Sequence, residues 1–179
     1  MDTKTSRPAD RRSGGDAARR PPVLAGYTYD PAEAYRARDA DRLLAIRLET
    51  NRTCNLRCRY CYAESGVDPD AVAPYEVLED RIEQAYWLGA ASIVVIGGGE
   101  PTIHPRFRDL IDRIHALGMV PMVFSNCLAI EPDLAAFLLD RGASVMTKLD
   151  SLRADRQDFL AGLDGAYDRI QRGIDHLLE

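Results

Sequence analysis

Four short apolar runs alternate with segments whose apolar residues recur at helical spacing, and three of those segments stop at a glycine. The runs are Leu44–Leu48, Ser92–Ile96, Val120–Phe124 and Ala143–Leu149. Short apolar runs of this kind suit strands buried on both faces of a parallel sheet. Between them, Leu78, Ile82 and Ala85 share one helical stripe, Phe107, Leu110, Ile111 and Ile114 a second, and Leu134, Phe137 and Leu138 a third. Gly89, Gly118 and Gly142 follow these stripes, where a left-handed residue ends a helix and returns the chain to the next strand. A last helix is expected around Tyr167, Ile170, Ile174, Leu177 and Leu178. The connections are long enough for right-handed crossovers between parallel strands. The expected fold class is α/β, a partial parallel (β/α) barrel with about four strand-helix units. Pro121 requires its position to lie near a strand start or at a sheet edge. Four units leave an open edge, so the core over residues 43–179 is expected to be incomplete.

Residues 1–22 hold six basic and three acidic residues among Pro, Gly and Ala, with almost no large apolar side chain. Such a segment cannot bury enough surface to fold and is expected to be a disordered leader. Residues 23–42 form an N-terminal extension ahead of the core. The whole chain is 46% apolar and 28% charged, an ordinary globular balance, and its net charge of −5 argues against a nucleic-acid footprint. No apolar run is long enough for a membrane span, and no secretory signal core is present, so a cytoplasmic location is expected.

Three of the four cysteines, Cys54, Cys58 and Cys61, lie within eight residues, in the loop after the first strand. Without a secretion signal, such clustering points to metal before disulfides. Three thiolates on a tight loop can hold three irons of a cubane cluster and leave the fourth iron open for chemistry. A closed zinc site would need a fourth ligand, from His104 or Cys127. After the second strand comes Gly97-Gly98-Gly99-Glu100-Pro101, where glycines admit a close ligand and a carboxylate can accept from an ammonium. Ser125-Asn126-Cys127 closes the third strand and Lys148-Leu149-Asp150-Ser151 the fourth. All four motifs follow strands, and in parallel barrels the site forms at those carboxyl ends. Cys127 reads as a packed thiol and His104 as a surface or capping residue, while His115 and His176 offer no identifiable partner.

The spacing Cys54-x3-Cys58-x2-Cys61, with the aromatic Tyr60 before the last cysteine, resembles the signature of the radical S-adenosylmethionine superfamily. Gly98-Gly99-Glu100-Pro101 looks like the Gly-Gly-Glu-Pro motif of that family, one unit further along. The resemblance implies that Cys54, Cys58 and Cys61 ligate a 4Fe-4S cluster whose open iron chelates S-adenosyl-L-methionine. It also implies that Tyr60 lies near the adenine and that the Gly-Gly-Glu-Pro stretch grips the methionine amino group. Ser125 and Asn126 stand where relatives have Thr-Asn before a glycine, with Cys127 replacing that glycine. Lys148 and Asp150 stand where relatives have Ser-Leu-Asp; Lys148 either pairs with a carboxylate of cofactor or substrate, or makes a structural ion pair with Asp150 or Glu100. The implied activity is reductive cleavage of S-adenosylmethionine to a 5′-deoxyadenosyl radical that takes hydrogen from an unknown substrate. It calls for an external one-electron reductant of the flavodoxin or ferredoxin type. The alternatives are a non-catalytic iron-sulfur or zinc module for electron transfer or assembly, and an inactive fragment of such an enzyme.

Overall fold

The four apolar runs become four parallel strands in one sheet, in the order β1-β2-β3-β4: β1 Ala45–Glu49, β2 Ser92–Ile96, β3 Val120–Ser125 and β4 Ser144–Thr147. The computed structural model describes residues 24–65 and 72–179, so the leader expected over residues 1–22 lies outside the described residues. Register is continuous across the sheet, pairing Leu48 with Val95, Val95 with Val123 and Val123 with Val145. Pro121 is the second residue of β3, near the strand start, where a missing donor is tolerated in an otherwise internal strand. β4 is shorter than the apolar run, because beyond Thr147 the chain leaves the ladder to build the loop that carries Lys148 and Asp150.

The helices are α1 Pro31–Asp39, α2 Tyr75–Trp87, α3 Phe107–Ala116, α4 Pro132–Asp140, α5 Ala154–Ala161 and α6 Ala166–Leu178. Gly89, Gly118 and Gly142 follow α2, α3 and α4 with φ of 86°, 75° and 59°, the left-handed stops that the sequence calls for. Two helices carry no periodic apolar signal. α1 buries only Ala37 and is started by its Asp30 cap, whose side chain accepts from Ala32 N–H at 2.8 Å; α5 buries Gln157 and Ala161, one polar and one small.

One face of the sheet takes the main core. Ile46, Leu48, Ile93, Val95, Val123 and Val145 pack there with Leu78 and Ile82 of α2, Leu110, Ile111 and Ile114 of α3, and Leu134 and Leu138 of α4. Strand alternation turns Val94, Ile96, Met122, Phe124 and Met146 to the other face. The extension closes the amino-terminal ends of the strands. Ser92 Oγ lies 2.6 Å from Gly26 O and 2.6 Å from the Tyr29 hydroxyl oxygen, and further along β3 the Tyr27 ring meets Phe124 edge-on at 5.4 Å. The carboxyl ends stay open, and the site lies there.

Candidate functional site

Because all four strands run the same way, the four loops that follow them share one edge of the sheet. They surround a cavity of about 470 Å³. Cys54, Cys58, Tyr60 and Cys61 line it from the loop after β1, Gly98, Gly99 and Glu100 from the loop after β2, Ser125 and Asn126 from the end of β3, and Lys148 from the end of β4. Pro101 and Asp150 stand outside the lining: Pro101 is buried at the head of a single 3-10 turn, Pro101–Ile103, and Asp150 accepts the Tyr60 hydroxyl. Ile96, Phe124 and Met146 supply an apolar wall.

The cysteine loop is braced from several sides. Asn51 donates its amide to Thr53 O at 3.0 Å and to Glu100 O at 3.2 Å, joining the start of this loop to the next one. Gly99 N–H donates to Asn51 O and Glu100 N–H to Thr53 O, both at 2.9 Å. The two loops lie so close that a Cβ on Gly99 would sit 1.8 Å from Thr53 O. Glycine is needed here for approach rather than for its dihedral freedom. Asn51 carries no signal in the sequence beyond its place between a strand and a cysteine.

The thiols of Cys54, Cys58 and Cys61 are partly exposed. Burial pushes the Cys54 and Cys58 thiols up from the ordinary value. Cys61 is also disfavoured as a thiolate by burial, but the Ser65 hydroxyl and the backbone N–H groups of Ser65 and Ala63 outweigh that and bring it down. Its sulfur lies 3.3 Å from Ser65 Oγ. The Asn126 amide approaches Cys54 Sγ at 4.0 Å and donates to Asn55 Oδ1 at 2.8 Å.

Glu100 is 3% exposed and satisfied within the protein. Its carboxylate accepts from Thr102 N–H at 3.2 Å, the Thr102 hydroxyl at 2.6 Å, the Ser125 hydroxyl at 2.8 Å and Asn126 N–H at 2.8 Å. Burial still holds its carboxyl above the usual range, against the pull of those donors. Lys148 places its ammonium 4.2 Å from the centre of the Tyr60 ring, and no ion pair with Asp150 or Glu100 is seen among the described residues. The structural ion pair considered for it from sequence is replaced by a cation-π contact.

Neither candidate fourth ligand faces the cavity. Cys127 is fully buried, its thiol pushed up to about 12 by burial and by the charge of Glu100. It also has φ of 61°, the left-handed conformation that glycine takes without strain. His104 is 5% exposed, which corrects the surface reading and keeps the capping one: Nδ1 accepts from Arg106 N–H at 3.1 Å at the head of α3, and Nε2 lies 3.2 Å from Ala73 O. His115 and His176 do have partners, their Nδ1 atoms lying 3.0 Å from Arg141 O and 2.9 Å from Ile130 O. Among the described residues no three His, Cys, Asp or Glu side chains are gathered as ligands of a single metal ion. Three thiols lining one cavity suit a cubane cluster with one open iron by their chemistry.

Residues 48–179 match the family model described as the Radical SAM superfamily. The chain belongs to that superfamily. The cofactors that go with membership of the radical SAM superfamily are a 4Fe-4S cluster and S-adenosyl-L-methionine. The chain is 34% identical over 137 residues to a GTP 3′,8-cyclase of Geobacter sulfurreducens, covering 74% of this chain and 42% of that protein. It is 29% identical over 146 residues to the mycofactocin maturase MftC of Mycobacterium tuberculosis, covering 78% and 36%. Among solved structures, Streptococcus suis SuiB bound to S-adenosylmethionine superposes with a TM-score of 0.65 at 18% identity, over 82% of this chain and 34% of that one. The anSMEcpe enzyme with bound AdoMet superposes at 0.63, with 20% identity over 76% and 40%. At those identities the likeness is one of fold. The chain thus spans well under half the length of these radical SAM relatives.

Proposed function

We propose that this chain forms the cluster- and cofactor-binding core of a radical SAM enzyme. The observation that carries the reading is the placement of three partly exposed thiols on a cavity wall facing the glycine loop. Cys54, Cys58 and Cys61 hold the 4Fe-4S cluster. When bound, the reduced cluster supplies the electron that cleaves S-adenosylmethionine, giving a 5′-deoxyadenosyl radical able to take hydrogen from a substrate.

The other residues bind and orient. The loop of Gly98 and Gly99, on the cavity wall, receives the methionine end. Glu100 keeps that wall rigid by fixing Ser125 and Asn126. The apolar wall of Ile96, Phe124 and Met146 covers the adenosyl part and keeps water from it. Tyr60, held by Asp150 at its hydroxyl and by Lys148 at its ring, forms one side of the mouth. Lys148 offsets the negative charge of the thiolates, since its ammonium favours the charged form of both Cys58 and Cys61.

The activity requires a one-electron donor of the flavodoxin or ferredoxin type and a reducing compartment such as the cytoplasm. Among the described residues no helix is long and apolar enough to cross a membrane. The core does not single out a substrate, since relatives named as a mycofactocin maturase and as a GTP 3′,8-cyclase both match it. Anaerobic reconstitution tests the proposal. Expected are the charge-transfer absorption and paramagnetic spectrum of a four-iron cluster, both lost in Cys58→Ala, and dithionite-dependent release of 5′-deoxyadenosine. A stable protein that takes zinc and no iron overturns the reading. A cluster that never cleaves S-adenosylmethionine reduces it to a binding module.

A further inference from the structure

β1 and β4 lie at opposite edges of the sheet, yet the loop after β1 is bonded to the helix after β4. Arg57 N–H donates to Ala161 O and Arg59 N–H to Leu160 O, both at 3.0 Å, so the last carbonyls of α5 are taken up by the cysteine loop. Arg59 adds its Nε–H to Phe159 O at 3.0 Å, and its guanidinium lies 4.1 Å from the centre of the Phe159 ring. Leu56 is buried with Ala161, Ala166 and Ile170 in a second apolar cluster, and Cys54 and Cys58 pack against it.

Two glycines make this seating possible. Gly162 ends α5 with φ of 66°, and a Cβ there would sit 2.1 Å from Arg57 O. Gly173, inside α6, would place a Cβ 2.0 Å from Cys127 O, so α6 rests directly on the loop after β3. The third grip is Gln157, 2% exposed, whose Oε1 accepts from Asp150 N–H at 3.0 Å and Ser151 N–H at 2.9 Å in the loop after β4. The helix pair is itself stiffened by Asp158 of α5, which accepts from Gly165 N–H and Tyr167 N–H at 2.7 Å each, at the head of α6.

We infer that α5 and α6 form a clasp that positions the cysteine loop from across the mouth of the site, with Gly162 as the positioning residue that sets how closely it closes. The glycine enters no ligand shell. It acts through the backbone of Arg57, between Cys54 and Cys58, and so controls the spacing and stiffness of the thiols. As far as it concerns the cluster, this inference rests on the function proposed above.

The test compares Gly162→Ala with Gly165→Ala. Both glycines are left-handed, at 66° and 72°, so alanine strains the backbone similarly at each, but nothing lies within 4 Å of a Cβ on Gly165. Two readouts are taken. Amide hydrogen exchange on the cluster-free chain is expected to be about ten-fold faster at Arg57 and Arg59 in Gly162→Ala, with Gly165→Ala close to the parent. After reconstitution, cluster loss to a chelator is expected to be about ten-fold faster in Gly162→Ala alone, with an altered paramagnetic spectrum. Should Gly162→Ala fail to fold, Ile170→Val loosens the same apolar seat from α6, and faster exchange at the same two amides is expected. Parent-like exchange and cluster retention in a folded Gly162→Ala overturn the clasp, as does parent-like exchange in Ile170→Val. A parent chain that takes up no iron overturns the proposed function instead, and the exchange readout still decides the clasp.

Discussion

The glycine loop after β2 and the cysteine loop after β1 line the same cavity but are built on opposite terms. The glycine loop is tied down by the protein around it: Glu100 accepts from Thr102, Ser125 and Asn126, and Gly99 lies against Thr53 O with no room for a side chain. The cysteine loop keeps its thiols partly exposed and takes its order from outside, through Asn51 and Asn126 at one end and the α5 carbonyls in its middle. Its arginines serve backbone carbonyls, unlike several arginines on the helices. Arg57 donates to Cys54 O and Leu56 O at 2.8 and 2.9 Å, and Arg52 to Ala63 O at 3.1 Å, whereas Arg108, Arg113 and Arg141 pair with carboxylates. One loop is therefore part of the protein's architecture, and the other is held ready for chemistry. Substitutions should separate the two by how much folding stability they remove from the cluster-free chain.

The largest loss is expected at Gly99. Gly99→Ala forces a methyl into Thr53 O and should cost on the order of 3 kcal/mol or more, read from urea unfolding of the cluster-free chain. A loss near zero would mean that the two loops separate freely, and the contrast drawn here would fail. Glu100→Gln comes next, at about 2 kcal/mol, because its amide turns a donor toward groups that themselves donate and leaves a buried one unpaired. Its pH dependence carries a sign. Burial raises the Glu100 carboxyl above 4.5, so the folded chain keeps a proton that the unfolded chain releases there. The contribution of Glu100 is therefore greatest below that pH and is lost as pH rises through the folded value. In Glu100→Gln this part of the slope in unfolding free energy against pH should disappear.

The same contrast explains what could be read from the residues alone. Strands and four of the helices were legible because packing imposes period two and period 3.6 on them, and the left-handed stops at Gly89, Gly118 and Gly142 favour glycine after three of those helices. The motifs were legible because thiols and close backbone approach leave few residue types to choose from. α5 was not, since its inward residues are a glutamine and an alanine that serve the loops rather than the core. Nor were the internal partners of Glu100: the Thr102, Ser125 and Asn126 donors that meet its carboxylate carry no signal of that pairing in the sequence. The contact that Lys148 makes with Tyr60 was not legible either, for a related reason. Its partner is an aromatic face, brought near by the folding of two loops that are 88 residues apart by position, Tyr60 and Lys148.

Smaller effects are expected in the cysteine loop. Cys58→Ala removes a partly exposed thiol that packs only at the margin of the second apolar cluster, and should change the stability of the cluster-free chain by about 1 kcal/mol or less while abolishing iron uptake. A loss as large as that of Glu100→Gln would place the cysteine loop among the architectural parts. Tyr60→Phe should cost still less, about 0.5 kcal/mol, since the tyrosine is 42% exposed and loses only hydroxyl contacts at the mouth, with Asp150 and the Cys58 thiol.

The smallest effect concerns Cys127, the cysteine that belongs to the architecture. In the folded, cluster-free chain at pH 8, iodoacetamide should label Cys54, Cys58 and Cys61 and leave Cys127 untouched, as read by peptide mass spectrometry. Cys127 is fully buried, and its thiol is pushed up to about 12 from 9.0, so neither access nor thiolate is available. The neutral buried thiol favours the folded state below pH 9.0, and that contribution is lost as pH rises toward about 12, because the unfolded thiol ionises first. Cys127→Gly should flatten that alkaline slope and at neutral pH nearly balance two terms, relief of a left-handed backbone against loss of a buried sulfur. Labelling of Cys127 as fast as Cys61 would instead put it on the reactive side of the comparison, with its sulfur open to the cavity.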